Sequence, residues 1–403
     1  MMVNSQLRRG AARGVLGWPA VALIGAAFAV TMLGTTLPTP LYPLYEKGFG
    51  FGELVTTVVF AAYAVGVLAA LLLVGHWSDQ VGRRPMLQAG LALSGLSAVV
   101  FLLAGALGWL FVGRVLSGLS AGIFTGTATA TIVDLAPEGG KARANLSAAA
   151  VNMGGLGAGP LLAGILAQYL PLPLRLCFIV DLVLVAVAAL AVRAVAEPVP
   201  RTSPLRLGPQ RISVPIEIRG VFTRAVIAGF AGFAVMGLFT AVSPAFLATV
   251  LHATNHALVG VVVLSVFLAS TIGQALSSLL GEQLALMIGC GGLIAGMILV
   301  GASLPLRSLA VLVGGAVIAG LGQGMSFRAG LASVTGASPP GQRGAITSSY
   351  FVVLYVGIAL PVIGEGAAAT AFGLVPAGMV FAALVAILAA VALLLLARSA
   401  FTS

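Results

Sequence analysis

The stretch ELVTTVVFAAYAVGVLAALLLV, residues 53–74, runs directly into GHWSDQVGRRPML, residues 75–87. The first stretch carries a single charge, Glu53, at its edge. It is long enough to cross the hydrocarbon core of a bilayer, which takes ~20 apolar residues in a helix. The second gathers Asp79, Arg83 and Arg84 between Gly75, Gly82 and Pro85, a break no apolar helix crosses unnoticed. An apolar run, a charged turn and another apolar run is the alternation of a polytopic membrane protein. Outward from these residues it repeats over the whole chain.

Of the 403 residues, 60% are hydrophobic and 7% charged, with a mean hydropathy of +1.14. A water-soluble domain carries about 25% charged residues, so most of this chain is built for lipid. Breaks at Gly, Pro and charge clusters predict twelve helical spans near residues 17–39, 53–74, 85–105, 108–131, 145–168, 174–194, 224–248, 256–279, 284–303, 308–331, 344–364 and 373–397. A membrane β-barrel would instead show short segments of alternating polarity. The expected fold class is therefore an all-α membrane protein.

The net charge of +10 raises the question of nucleic acid, but the positions of the basic residues answer it differently. With the N-terminus inside, the inner segments hold Arg8, Arg9, Arg13, Arg83, Arg84, Lys141, Arg143, Arg193, Arg201, Arg206, Arg211, Arg219, Arg224, Arg343 and Arg398. The outer loops hold Lys47, Arg175 and Arg307. Basic loops resist translocation, so this bias places both termini in the cytoplasm of a multi-pass protein of the cell's inner (plasma) membrane. The expected partners are the lipid bilayer and a small-molecule substrate, with no nucleic acid, and the chain is expected to act as a monomer. The run from Val15 shows no cleavage site and is read as its own signal anchor. Cys177 and Cys290 fall inside spans and read as buried packing thiols. His252 and His256 lack ligand partners, so neither a metal nor a cofactor is expected.

The longest polar stretch, EPVPRTSPLRLGPQRISVPIEIRG at 197–220, is rich in Pro and Arg. It reads as a linker (197–223) between an N-terminal six-helix half (1–196) and a C-terminal one (224–403). Internal similarity supports a duplication: GLSAG at Gly118 recurs as GLGQG at Gly320, Pro137 matches Pro339, and Pro160 matches Pro361. The expectation is two pseudo-symmetric bundles, with a substrate site between them at mid-membrane.

Gly75, Asp79, Gly82, Arg83 and Arg84 resemble the signature loop of the major facilitator superfamily. The resemblance implies that this loop, with Asp134 at the inner end of the fourth helix, latches the two halves on the cytoplasmic side. In that latch Asp79 would sit at the positive N-terminal pole of the eleventh helix. Gln80 stands where the family usually has a basic residue, and the second-half counterpart, GEQLALM from Gly281, has lost the pattern. In the fourth helix Arg114, four residues before Gly118, is similar to the family's proton-coupling motif; snorkelling to the outer interface is the plainer reading. Gly155, Gly159, Pro160 and Gly164 in the fifth helix resemble the motif of the drug and proton antiporter branch, with a generic glycine packing face as the alternative. TPLYPLY at 39–45 is weakly similar to the end of the first helix in that branch.

Proton antiport needs a carboxylate that binds and releases a proton as access alternates. Asp181, two turns into the sixth helix, is the first candidate, with a structural pair to Arg114 or Arg175 as its rival role. Glu365, near the outer end of the eleventh helix, is the second. Glu46 and Glu53 read as solvated residues of the first outer loop. Tyr63, Asn152, Gln274, Gln323, Arg328 and Tyr355 are candidates to line a mostly apolar substrate cavity, each having interhelical packing as its plainer role. The resulting expectation is a secondary transporter that exports small amphipathic compounds in exchange for protons by alternating access. A small-molecule importer or facilitator is the alternative within transport; a membrane enzyme or a non-transporting receptor is the alternative from another class. No convergent His, Cys or acidic cluster favours an enzyme, and no GxxxxGK[ST] loop supports ATP-driven pumping.

Overall fold

The computed structural model describes residues 14–74, 77–199, 212–339 and 341–400. Gly75 of the signature loop lies outside these, as do Arg8, Arg9, Arg13, Arg201, Arg206 and Arg211. Among the described residues twelve helices are long and apolar enough to cross a membrane: α1 Trp18–Phe49, α2 Glu53–Val74, α3 Arg83–Leu102, α4 Leu107–Leu135, α5 Lys141–Tyr169, α6 Leu176–Ala194, α7 Ile216–Thr249, α8 His256–Ser277, α9 Glu282–Leu306, α10 Leu309–Ala337, α11 Arg343–Phe372 and α12 Leu374–Ser399. Twelve crossings return the chain to the side on which α1 begins, called here the terminal side; the opposite face is the far side.

Several helices outrun their predicted spans, because a helix continues through the interface after its apolar run ends. The first does so most. Beyond Thr36 the chain turns through a short 3₁₀ segment, Thr39–Leu41, and continues as helix Tyr42–Phe49. Glu46 and Lys47 are therefore helical residues rather than members of a loop, and Thr56 Oγ1 donates a hydrogen bond to Glu46 Oε1. α7 starts at Ile216, inside the stretch expected to be linker, and α11 runs on to Phe372. Glu365 thus lies about two turns inside its helix and not at its end.

Within α7, residues Leu238–Val242 form a widened π-turn. Pro244 has no N–H to return to the Thr240 carbonyl. Nearby hydroxyls supply local bonds instead: Ser243 Oγ donates to Phe239 O (2.6 Å) and Thr240 Oγ1 to Met236 O (2.7 Å).

α1 to α6 pack chiefly on one another, as do α7 to α12, and two helix pairs make most of the contact between the groups, α5 with α8 and α2 with α11, with smaller contacts of α1 on α7 and α8 and of α2 on α7. α6 shows how an outer helix is built. Ile179, Val183, Val187 and Leu190 expose one apolar stripe, while Cys177, Asp181, Val185, Ala188 and Val192 occupy the buried face. In lipid there is no hydrophobic drive for helices to meet, so close backbone approach has to supply the contact energy.

The repeated GLxxG motif does this in both groups. A side chain at Gly118 would strike the Tyr63 carbonyl of α2, and one at Gly122 would sit 2.9 Å from the Val67 carbonyl. In α10 a side chain at Gly320 would lie 2.5 Å from the Val266 carbonyl of α8, and one at Gly324 would strike the Ser270 carbonyl. The same two contacts, four residues apart, hold α4 on α2 and α10 on α8.

Candidate functional site

On the terminal side the charged loop is tied to its own group. After a one-turn helix, Ser78–Val81, Gly82 turns the chain at φ 106°. Arg83 then gathers three partners: Asp79 Oδ1 at 2.7 Å, Ser78 Oγ at 2.7 Å and, through Nε, Asp134 Oδ2 at 3.1 Å. Arg84 Nη2 donates to the Arg193 carbonyl at the end of α6 (2.7 Å). Asp79 is 66% exposed and paired with Arg83.

Sequence reasoning passed over Glu197. Its carboxylate accepts from the backbone N–H of Arg83 (2.8 Å) and of Arg84 (2.9 Å). An anion there satisfies free amides and meets the positive pole of α3. A side chain at Gly82 would come within 3.1 Å of that carboxylate, so the turn needs glycine for space as well as for backbone angle. The only signal in the sequence is an acid three residues beyond an apolar span, and no periodicity marks it.

Deeper in the first group, Arg114 is 2% exposed, which overturns the snorkelling alternative. Nη1 donates to the Thr35 carbonyl of α1 (2.5 Å) and Nη2 to the Phe60 carbonyl of α2 (3.5 Å). The guanidinium also lies 4.9 Å from the Tyr63 ring centroid and 5.4 Å from that of Phe60. Arg is stabilised here by carbonyls and ring faces.

Asp181 is also 2% exposed, and Oδ1 has no hydrogen-bond partner. No ion pair with Arg114 or Arg175 occurs among the described residues, because Asp181 approaches α1 at Gly34, whose absent side chain makes room for the carboxyl (2.9 Å). Arg114 takes the next residue's carbonyl. The two polar groups therefore flank one turn of α1 without touching.

The glycines of α5 divide between two partners. Side chains at Gly155 and Gly159 would collide with the Ala29 and Leu33 carbonyls of α1, while Gly164 faces the His256 carbonyl and Gly157 faces Leu264 and Phe267 of α8. Pro160 leaves the Leu156 carbonyl without its helical donor, and Thr36 Oγ1 of α1 fills the vacancy at 2.8 Å. Gly260 of α8 lies against Pro160 and Leu161. At the far end Asn255 Nδ2 donates to Tyr169 Oη (3.1 Å) and His256 N to Gln168 Oε1 (2.9 Å).

The second seam, α2 with α11, contains Tyr63 and Tyr355, their ring centroids 6.4 Å apart. Farther out, Gly366 lies against the Thr57 side chain. Ring contacts continue from Tyr355 to Phe233, Phe327, Phe351, Tyr350 and Phe222. Arg328 follows Phe327 and is half-buried. Asn152 on α5 is half-buried, with Oδ1 unpartnered. Gln274 and Gln323 do not line an open space: at 3% and 1% exposure they join α8 to α10 through Ser270, whose Oγ donates to Gln323 Oε1 at 2.6 Å. Glu365 is buried, with both carboxyl oxygens unpartnered.

Residues 24–360 match the model of the Major Facilitator Superfamily. Among curated proteins, the chain is 31% identical over 140 residues to "Multidrug resistance protein 2" of Bacillus subtilis (strain 168), covering 34% of this chain and 35% of that one. It is 32% identical over 111 residues to "Tetracycline resistance protein, class E" of Escherichia coli, covering 28% and 27%. The matched stretches thus span about a third of these relatives' length. Among solved structures, the chain superposes on a bacterial homologue of the human lysosomal transporter Spinster, in an inward-facing and unoccupied conformation. The TM-score is 0.67 at 16% identity, covering 94% of this chain and 96% of that one.

Proposed function

We propose, since this chain belongs to the Major Facilitator Superfamily, that it is a secondary active transporter exporting small amphipathic compounds from the cell in exchange for protons by alternating access. The observation that carries this reading is the position of the contacts between the two groups. Gly157 with Phe267, Gly164 with His256, Tyr63 with Tyr355 and Gly366 with Thr57 all lie from mid-depth to the far side. Meanwhile Asp79, the residue proposed to latch the terminal side, is exposed and bound within its own group. The basic residues assign the terminal side to the cytoplasm. On that assignment the molecule, in the inner membrane with both termini inside, is shut outward and open inward.

The halves, residues 1–196 and 224–403, rock about the two seams, and the substrate occupies the space between them against Tyr63, Tyr355 and the aromatic residues that follow. Export is favoured by the names of the drug-resistance relatives and by the glycine and proline pattern of α5. Asp181 is the proposed proton carrier. Its carboxyl packs on Gly34, beside the carbonyl that holds Arg114, so a change in its charge acts through one turn of α1 on the residue stacked against Tyr63.

The test is transport into inside-out vesicles carrying a pH-sensitive dye. Substrate addition should release protons from acid-loaded vesicles, and Asp181→Asn should abolish that release while sparing substrate exchange. Flux that ignores the pH gradient would overturn proton coupling and favour a facilitator. Asp79→Asn should reduce flux strongly in protein that still folds into the membrane; wild-type flux would remove the latch.

A further inference from the structure

On the terminal side of the second group, a cavity of about 360 Å³ opens between the starts of α7 and α9 and the ends of α10 and α12. Small-ligand sites occupy ~300–1,000 Å³, and this one falls within that range. Its floor is apolar, Leu286 and Leu396, where it meets the buried cluster shared by these four helices. Its walls are polar: Arg224 on α7, Glu282 and Gln283 on α9, and Ser333 on α10. Gln283 Nε2 donates to the Leu396 carbonyl at 3.3 Å and ties α9 to α12.

Two opposite charges border this cavity without joining. Arg224 is half-buried and Glu282 exposed, and among the described residues neither has an ion pair. The guanidinium folds back toward the helix start, Nη1 lying 3.6 Å from where a side chain on Gly220 would begin. In the first group the corresponding helix ends belong to α1, α3, α4 and α6, and there the chain occupies the space itself. Glu197 lays its carboxylate on the backbone N–H groups of Arg83 and Arg84, and the Val15 N–H donates to the Ala194 carbonyl at 2.9 Å. The second group lost the charged-loop pattern at Gly281, and where the first holds an internal anion it holds a cavity.

The cavity also adjoins lipid. On the same ends of α9 and α12, Leu284, Ile288, Val391 and Leu394 are exposed, an apolar surface for acyl chains. Basic pockets between spanning helices on the cytoplasmic side are places where lipid headgroups bind.

We propose that this cavity holds the headgroup of a phospholipid that carries both a phosphate and a primary amine, the phosphate on Arg224 and the ammonium on Glu282, with the acyl chains along α9 and α12. The pair of charges selects that headgroup. A guanidinium can give two parallel N–H bonds to phosphate oxygens, but a phosphate without an amine leaves Glu282 facing a second negative charge. A quaternary ammonium has no N–H to give the carboxylate. The site goes beyond the transport reading and does not rest on proton coupling or on the compound carried.

Native mass spectrometry of the full-length protein counts the lipids retained when it is titrated in detergent with short-chain phosphatidylethanolamine, phosphatidylcholine or phosphatidylglycerol. The unmutated protein should retain one phosphatidylethanolamine about tenfold more tightly than either of the others, the worth of one charge-assisted hydrogen bond. Glu282→Gln should erase that preference and leave phosphatidylcholine retention unchanged. Arg224→Gln should weaken retention of all three lipids about tenfold, and Arg224→Lys should restore part of it. Glu282 is exposed and Arg224 half-buried, so neither substitution opens the core. An unmutated protein that retains the three lipids alike, or a Gln variant at either position that behaves as the unmutated protein does, would overturn the proposal. Soluble glycerophosphoethanolamine should compete only at far higher concentration; competition at equal concentration would assign the site to a free phosphate ester and overturn the lipid.

Discussion

The two seams that join the halves are made of different material. α5 meets α8 backbone against backbone: Gly164 against the His256 carbonyl, and Gly260 against Pro160 and Leu161. α2 meets α11 through side chains: the Tyr63–Tyr355 pair and Thr57 over Gly366. Apart from the Asn255–Tyr169 and His256–Gln168 bonds at its far end, this seam is close backbone packing with little to rearrange, so it can bear motion. A side-chain seam can be altered by a ligand, a proton or a rotation. The first is suited to be a pivot and the second a switch.

The largest effect should come from Gly164→Ala. Its new methyl meets a carbonyl that the N-terminus of α8 holds in place, so overpacking of 1–3 kcal/mol should shift far closure and flux about 5- to 150-fold. No single side-chain change on α8 should rescue it; a rescuing one would break the distinction between the seams. Gly366→Ala should cost less, about two- to fivefold, because the obstacle is the Thr57 side chain. The double variant with Thr57→Ala should regain most of the flux in vesicle assays, and failure of that rescue would mean that the backbone of α2, not its side chain, sets the distance. The smallest effect should be Tyr355→Phe. Losing one interhelical polar contact in a membrane costs about 0.6 kcal/mol, a shift of about threefold in vesicle flux, with the fold retained. A change as large as that of Gly164→Ala would make the tyrosine pair, not the glycines, the principal contact.

Much of the fold was legible because lipid imposes simple rules. An uncharged run of sufficient length has to be a spanning helix, and twelve such runs were readable between their charged breaks. The ends were less legible. Tyr42–Phe49 and Ile216–Ile218 are helical beyond their apolar runs, where amphipathic residues tolerate water or lipid equally. The GLxxG repeat was readable as similarity, but not as two pairs of backbone contacts.

At the candidate site, Arg83 and Asp79 were legible because a four-residue spacing makes a local pair. Asp134 entered through the family resemblance, and Glu197 was missed. The resemblance joined Asp134 to the loop across 51 residues, but nothing joined Glu197 across more than a hundred. Gln274 and Gln323 looked like cavity residues because polarity at mid-span looks the same whether it faces a ligand or another helix. Only their bonds through Ser270 tell the two apart.

The sequence by itself determined that the chain crosses a membrane twelve times, where it turns, and which side its basic residues favour, since hydropathy and charge act residue by residue. The tertiary structure alone decided that Arg114 rests on carbonyls and rings, that Asp181 and Arg114 flank one turn of α1 without touching, and that Thr57 packs on Gly366 across a seam. Those relations depend on which faces of distant helices are turned toward each other, and packing sets that only once all the helices are assembled.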